Sequence, residues 1–179
     1  MGLKAKLSAF LRRKEGKLYF WQLRQKAQNC RFYPLRRYYY GKYQRLMSKN
    51  AADIALGCQM DGVPTFPHGF NGIFVSEGAK IGSDCVIFHQ VTIGSNTLPG
   101  SRGRGCPTIG NSVYIGCGAK IIGNVHIGNN VRIGANCVVT QDIPDNATVV
   151  LERPRVLVRE TPQDNRFIRH DQMVAETII

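Results

Sequence analysis

An apolar residue, usually isoleucine, recurs every six positions through the middle of this chain. The most regular run comprises Ile109, Ile115, Ile121, Ile127, Ile133 and Val139. Neither the period of a helix, about 3.6 residues, nor that of a strand, about two, explains this spacing. A hexapeptide repeat does, since each hexad forms a short strand and a corner, and stacked coils bury the apolar column. We therefore predict an all-β solenoid.

Glycine follows four of these six column residues, at Gly110, Gly116, Gly128 and Gly134. We interpret these positions as corners where glycine supplies backbone freedom. The column continues upstream through Ile81, Ile87 and Ile93.

The repeat is interrupted twice. Three extra residues fall near His68–Gly72, and the step from Ile93 to Ile109 is sixteen residues where six would suffice. About ten residues, roughly 95–105, must therefore leave the solenoid as a loop. Insertions in solenoids map to surface loops, often on the binding face. We therefore expect the functional residues to lie near the two interruptions.

The net charge of +12 is concentrated at one end of the chain. Residues 1–50 hold fourteen Lys/Arg and one acid, whereas residues 51–179 hold ten Lys/Arg and eleven acids. We predict three parts: a basic, aromatic-rich helical segment over 1–50, the solenoid over 51–150 and a tail over 151–179. Pro34 is expected to separate two helices of the first part.

Three interpretations of the basic segment stay open. It is a solvated arm packed on the solenoid or on another subunit, an anchor on an anionic membrane surface, or a nucleic-acid-binding element. The last lacks any recognised motif, so no nucleic acid is expected as a partner. No signal peptide or membrane span is visible, and the six cysteines lack metal-knuckle or CxxC spacing. We expect a cytoplasmic protein without a metal, with peripheral association at the inner membrane face as an option.

Four histidines limit the candidates for acid–base chemistry. His126 and His170 are interpreted as solvent-facing and structural. His68 opens the first interruption, and His89 shortly precedes the long loop. A histidine can take a proton from a hydroxyl as its oxygen attacks a carbonyl, so both are candidates, against the alternative of a structural ring.

The hexads now resemble a known family. The runs Phe88–Gly94 and Pro107–Gly116, extended by Gly118–Gly123 and Ile133–Thr140, are similar to the serine acetyltransferase branch of the hexapeptide acyltransferases. The resemblance covers roughly residues 51–158. It implies a left-handed parallel β-helix, a homotrimer, and acetyl-CoA bound in the groove between neighbouring solenoids.

The same resemblance implies the site residues. His68 is the general base, Asp53, fifteen residues earlier, orients it, and His89 is a second catalytic candidate. The positions matching the family's cofactor contacts are Gly94, Ser95, Cys117, Ala119, Ala135, Thr140, Gln141 and Arg155.

Two departures from the family pattern affect the acceptor. Pro67 stands where serine acetyltransferases place an acid for the amino group of serine, and Gly105 and Cys106 replace an Arg-His pair for its carboxylate. Since zwitterion recognition relies on charge-assisted hydrogen bonds, we predict transfer to a saccharide hydroxyl, as in capsular polysaccharide O-acetyltransferases. The alternatives are serine O-acetylation, a non-catalytic trimeric scaffold, and a zinc-dependent solenoid resembling carbonic anhydrases.

Overall fold

A computed structural model describes residues 18–163 and 165 of the chain. Residues 1–17 of the predicted helical segment, with Leu3, Leu7 and Phe10, lie outside the described residues, and so does His170. The described part contains two helices followed by short strands. Helix α1 covers residues 18–29 and α2 covers Tyr33–Lys49, with Pro34 in its first turn. Proline is favoured there because the first amide of a helix has no intrahelical partner.

The strands, two or three residues long, form three parallel sheets. Sheet A contains β1 Asp53–Ile54, β3 Phe74–Val75, β6 Thr92–Gly94, β9 Lys120–Ile122 and β12 Val138–Val139. Sheet B contains β2 Gln59–Met60, β4 Lys80–Ile81, β7 Thr108–Ile109 and β10 His126–Ile127. Sheet C contains β5 Val86–Ile87, β8 Tyr114–Ile115, β11 Arg132–Ile133 and β13 Thr148–Val149.

The register shows how the repeat builds the solenoid. Thr108 pairs with His126, eighteen positions further along, so a regular coil contains three hexads. Asp53 pairs with Phe74, a step of twenty-one, and Thr92 pairs with Lys120, a step of twenty-eight. The two longer steps contain the three and the ten extra residues of the interruptions. The predicted fold, a left-handed β-helix preceded by helices, is confirmed.

The column residues fill the interior. The side chains of Ile87, Ile93, Ile115, Ile121, Ile127 and Ile133 are fully buried. Cys85 and Cys137 are also buried, which agrees with their interpretation as small apolar residues of the coil. Burial raises the pKa of the Cys85 thiol, which disfavours the reactive thiolate.

Glycine follows the column residues for a reason other than the one expected. None of the four corner glycines has a positive φ. A Cβ on Gly110 would lie 2.9 Å from the carbonyl carbon of Gly128, and one on Gly116 would lie 2.7 Å from the nitrogen of Ala135. The interpretation as backbone freedom is therefore wrong. These positions exclude a side chain because the next coil passes directly over them.

Left-handed backbone conformations occur at the corners, but polar residues adopt them. Asp84, Ser112, Asn130, Asn136 and Asn146 have φ values between 56° and 60°. Asparagine and aspartate tolerate this region because their short polar side chains form local hydrogen bonds.

A ladder of side chains joins successive coils at one corner. The backbone N–H of Ser83 donates to Oδ1 of Asn111 at 2.8 Å, that of Asn111 to Asn129 at 2.9 Å, and that of Asn129 to Asp145 at 2.7 Å. Each side chain thus satisfies a backbone donor of the neighbouring coil.

Residues 95–105 leave the solenoid after β6 as a closed loop. Its two ends meet at Asn96 and Gly105, whose backbone groups form a reciprocal pair of 2.9 Å hydrogen bonds. Inside the loop, Nδ2 of Asn96 donates to Oγ of Ser101 at 2.8 Å.

The helices cover the N-terminal end of the solenoid. The buried guanidinium of Arg24 donates to the carbonyl oxygens of Ala55 and Leu56 at 2.9 Å and to that of Cys58 at 2.5 Å. These are carbonyls of the first coil, so Arg24 connects α1 to the start of the β-helix. No helix in the described part of the chain is long and apolar enough to cross a membrane.

Candidate active site

The corner between sheets C and A carries four of the predicted site residues at stacked positions. We call His68, His89, Cys117 and Ala135 the histidine row. Along sheet C, each residue pairs with the next in the series Thr65, Val86, Tyr114 and Arg132. Each residue of the histidine row stands three positions after one member of this series. Because stacked strands lie about 4.8 Å apart, the row is a continuous line along the outside of the solenoid.

The two histidines of the row contact each other. Their Nδ1 atoms lie 3.0 Å apart, within hydrogen-bonding distance, so one ring donates and the other accepts. His68 is exposed, and His89 is half-buried. The three extra residues of the first interruption follow His68, within the turn over 67–72, and therefore leave His68 in register with His89.

Hydrogen bonds to backbone carbonyl oxygens hold this corner together. Nδ2 of Asn71 donates to the carbonyl of His68 at 2.9 Å, and the amide of Gln90 donates to the carbonyl of Asn71 at 2.8 Å. The amide of Gly118 donates to the carbonyl of His89 at 3.0 Å. The positions of both rings thus follow from the stacking of three coils.

Two aromatic rings border the histidines. Phe88 meets the His68 ring edge-on, with centroids 5.4 Å apart, and Tyr114 lies 5.1 Å from Phe88. They form an apolar wall beside the pair. Neither residue was singled out from the sequence, although each stands at a fixed offset from its column residue.

Asp53 lies apart from the histidine pair in its contacts. It is exposed on sheet A, in register with Phe74. Within residues 18–163, no hydrogen bond connects its carboxylate to His68, whose Nδ1 faces His89 instead. The orienting role expected of Asp53 stays a prediction.

The remaining predicted cofactor contacts occupy other places on the surface. Gly94 ends β6 at the other corner of sheet A, where it pairs with Ile122, and Ser95 follows it. Thr140 and Gln141 follow β12 at the same corner and are exposed.

Two further predicted contacts lie elsewhere. Arg155 is exposed in the extended tail. Ala119 is fully buried, so its side chain packs in the coil and only its backbone could meet a ligand.

Sheet A therefore separates two groups of predicted site residues within one chain. The histidine row borders one corner, and Gly94 with Thr140 borders the other. A second copy of the chain could bring its second corner beside the first corner of this one, so that one ligand would contact both groups.

The arrangement suits proton transfer to and from a bound hydroxyl. With Nδ1 of His68 facing His89, its Nε2 is the atom that can accept a proton. His126 lies on sheet B and is exposed, away from the row. Among the described residues, no three His, Cys, Asp or Glu side chains are grouped so that they could hold a metal ion.

Comparison with known proteins supports the resemblance to hexapeptide-repeat transferases that the fold and the histidine row indicate. Residues 106–141 match the family model described as bacterial transferase hexapeptide (six repeats). The resemblance to hexapeptide-repeat acyltransferases is confirmed.

The individual relatives are serine acetyltransferases. One from Synechococcus elongatus is 44% identical over 92 residues, which cover 51% of this chain and 36% of that protein. One from Helicobacter pylori is 39% identical over 93 residues, covering 52% and 53%. The soybean serine acetyltransferase complexed with serine is similar in structure, with a TM-score of 0.62 and 32% identity, covering 77% and 56%. The chain thus spans about half or less of the curated relatives it matches.

These relatives overturn the prediction of a saccharide acceptor and, with it, of a role in polysaccharide biosynthesis. That prediction is wrong, because proteins about 40% identical to this chain are serine acetyltransferases. It rested on three positions, Pro67, Gly105 and Cys106, that lack the expected charges. Missing charges at three positions do not exclude a zwitterion, since other groups around the site can supply them.

Proposed function

We propose that this chain is an acetyl-CoA-dependent O-acetyltransferase that transfers an acetyl group to the hydroxyl of serine. The observation that supports it most is the histidine row, because it sets a paired imidazole beside two positions, Cys117 and Ala135, that match cofactor contacts in the family. A thioester lying along the row would end next to His68.

The reaction needs one base and no covalent enzyme intermediate. Nε2 of His68 takes the proton of the serine hydroxyl as the oxygen attacks the thioester carbonyl. A carbon–oxygen bond forms, the carbon–sulfur bond breaks, and the proton passes from His68 to the departing sulfur of CoA. Nδ1 of His68 donates to His89 while the ring carries its positive charge.

The fit of acetyl-CoA to the chain rests on small and exposed residues. Cys117 and Ala135 give the row a shallow wall on which a pantetheine chain can lie, and the exposed guanidinium of Arg155 suits a phosphate. The exposed side chains of Arg102 and Arg104, in the loop over 95–105, are available for the carboxylate of serine.

We further propose a homotrimer with active sites between subunits. The two groups of predicted site residues lie on opposite corners of sheet A, facing different sides of one chain, and this favours a site built from two chains. A neighbouring copy would place its Gly94 corner against the histidine row.

The test is an acetyl-transfer assay with the purified chain, acetyl-CoA and L-serine, following the release of free thiol. We expect serine-dependent release, and a loss of at least about a hundredfold in His68→Ala because a general base contributes about that much or more. Binding of CoA to His68→Ala, measured by calorimetry, should persist.

His126→Ala is the matched control, since it removes an exposed histidine from another sheet and should keep full activity. The proposal fails if thiol release does not depend on serine. It also fails as a mechanism if His68→Ala and His126→Ala are equally active.

A further inference from the structure

The first turns of α2, before Tyr39, extend beyond the contact of this helix with the core. The buried residues of this helix, Tyr43 and Met47, both lie in its C-terminal half. From Arg31 to Tyr38 every residue is exposed. This part of the molecule has no packing role within the described chain.

Large apolar side chains stand in this exposed stretch. Phe32 is 66% exposed, Tyr33 62% and Leu35 40%. Single exposed apolar residues are common on protein surfaces, but three within four positions, around a helix start, form a local apolar patch.

Arginines surround the patch. Arg31 precedes it, and Arg36 and Arg37 follow it in the first turns of α2, where the first turn contains no acidic side chain. The Arg36 guanidinium lies 5.8 Å from the centre of the Tyr33 ring. Residues 18–49 contain eight Lys/Arg and no Asp or Glu. The partner of this surface must therefore carry negative charge.

We propose that this arginine–aromatic tip (Arg31, Phe32, Tyr33, Leu35, Arg36 and Arg37) docks on an anionic membrane surface. The arginines would lie at the level of the lipid phosphates while Phe32 and Leu35 enter the boundary between headgroups and acyl chains. Two such tips would repel each other, so pairing of this surface with the same surface of a second copy is disfavoured. The exposed Leu35 favours lipid over nucleic acid, because an aliphatic side chain cannot stack on bases and would stay in water.

The experiment is co-sedimentation of the full chain with vesicles of phosphatidylcholine alone or mixed with phosphatidylglycerol. We expect binding to the mixed vesicles only. Arg31→Gln with Arg36→Gln and Arg37→Gln should weaken it about a hundredfold, because each basic side chain near an anionic membrane contributes about fivefold. Phe32→Ser with Leu35→Ser keeps the charge and should weaken binding about tenfold or more through lost apolar burial.

The matched control, Lys80→Gln with Arg132→Gln and Arg153→Gln, removes the same charge from exposed positions elsewhere and should bind like the unmodified chain. Circular dichroism melting of each variant confirms that it is folded. Equal weakening by control and tip variants would show attraction by net charge alone and overturn the proposal. So would the absence of binding, or full binding by Phe32→Ser with Leu35→Ser together with competition by an oligonucleotide.

Discussion

The contact between His68 and His89 determines which nitrogen of His68 can work as a base. Two Nδ1 atoms 3.0 Å apart share a single proton. When that proton is on His68, Nε2 of His68 has a free lone pair and His89 accepts the hydrogen bond. His89 would then be a positioning residue, filling with a neutral ring the role that a carboxylate fills in a Ser-His-Asp triad.

Substitutions at His89 and Asp53 test which group orients His68. We expect His89→Ala to lower kcat about fivefold with the KM for acetyl-CoA unchanged, since a neutral hydrogen bond contributes about 1 kcal/mol. His89→Asn should recover part of the loss, because its amide oxygen can accept the same hydrogen bond. Steady-state kinetics of these variants and of Asp53→Asn would decide. A larger loss in Asp53→Asn than in His89→Ala would return the orienting role to Asp53.

The sequence located His68 and His89 but not their contact. Each is a candidate because it lies near an interruption of the repeat. The two rings are adjacent because the three extra residues of the first interruption come after His68. The hexad spacing shows that three residues are extra, but it does not show where in the turn they lie. The contacts of Phe88, Tyr114 and Asn71 with this site could not be predicted for a related reason, since they form only when three coils are stacked.

At the scale of one coil, stability depends on how closely successive backbones approach. The corner glycines lie under the backbone of the next coil, since a Cβ added at Gly110 would lie 2.9 Å from the carbonyl carbon of Gly128. The column of isoleucines could be predicted from its period alone, because burial of the inward side chain is a local consequence of the repeat. The steric role of the glycines could not be predicted from the period, because it depends on the distance between coils.

Two alanine substitutions distinguish steric exclusion from conformational preference. Gly110→Ala should lower the free energy of unfolding by about 1–3 kcal/mol, as expected when added atoms force the backbone to move. Gly41→Ala, in α2 with nothing within 4 Å of the added carbon, should raise it by about 0.5–1 kcal/mol because alanine suits a helix interior better. Urea denaturation measures both, and an equal effect of the two changes would contradict this account.

Across the whole molecule, charge and structure are divided between the two ends. Residues 1–50 carry the excess of positive charge, while residues 51–179 are close to neutral. Tyr43 is one of the links between the two parts. Its hydroxyl donates to the carbonyl of Ile54 at 2.5 Å and lies 3.4 Å from Arg24.

Tyr43 should make stability depend on alkaline pH. Burial raises the pKa of its phenol to about 12, so the folded chain keeps a proton that the unfolded chain releases near pH 10. Its contribution is complete below about pH 10 and is lost as the pH rises to about 12, a decrease of about 2–3 kcal/mol. Urea denaturation over this range should show the decrease in the unmodified chain and in Tyr38→Phe, an exposed control. A decrease of the same size in Tyr43→Phe would rule out this origin.

The buried guanidinium of Arg24 holds the N-terminal end of the β-helix, and the C-terminal end has no equivalent contact among the described residues. At the start of the chain, the helices clamp the first coil through three carbonyls. At the other end, β13 is followed by an exposed, extended tail, and each coil rests only on its neighbour. Under mechanical load, the solenoid would therefore peel from its C-terminal end, one coil at a time, and His68 and His89 would be among the last residues to separate.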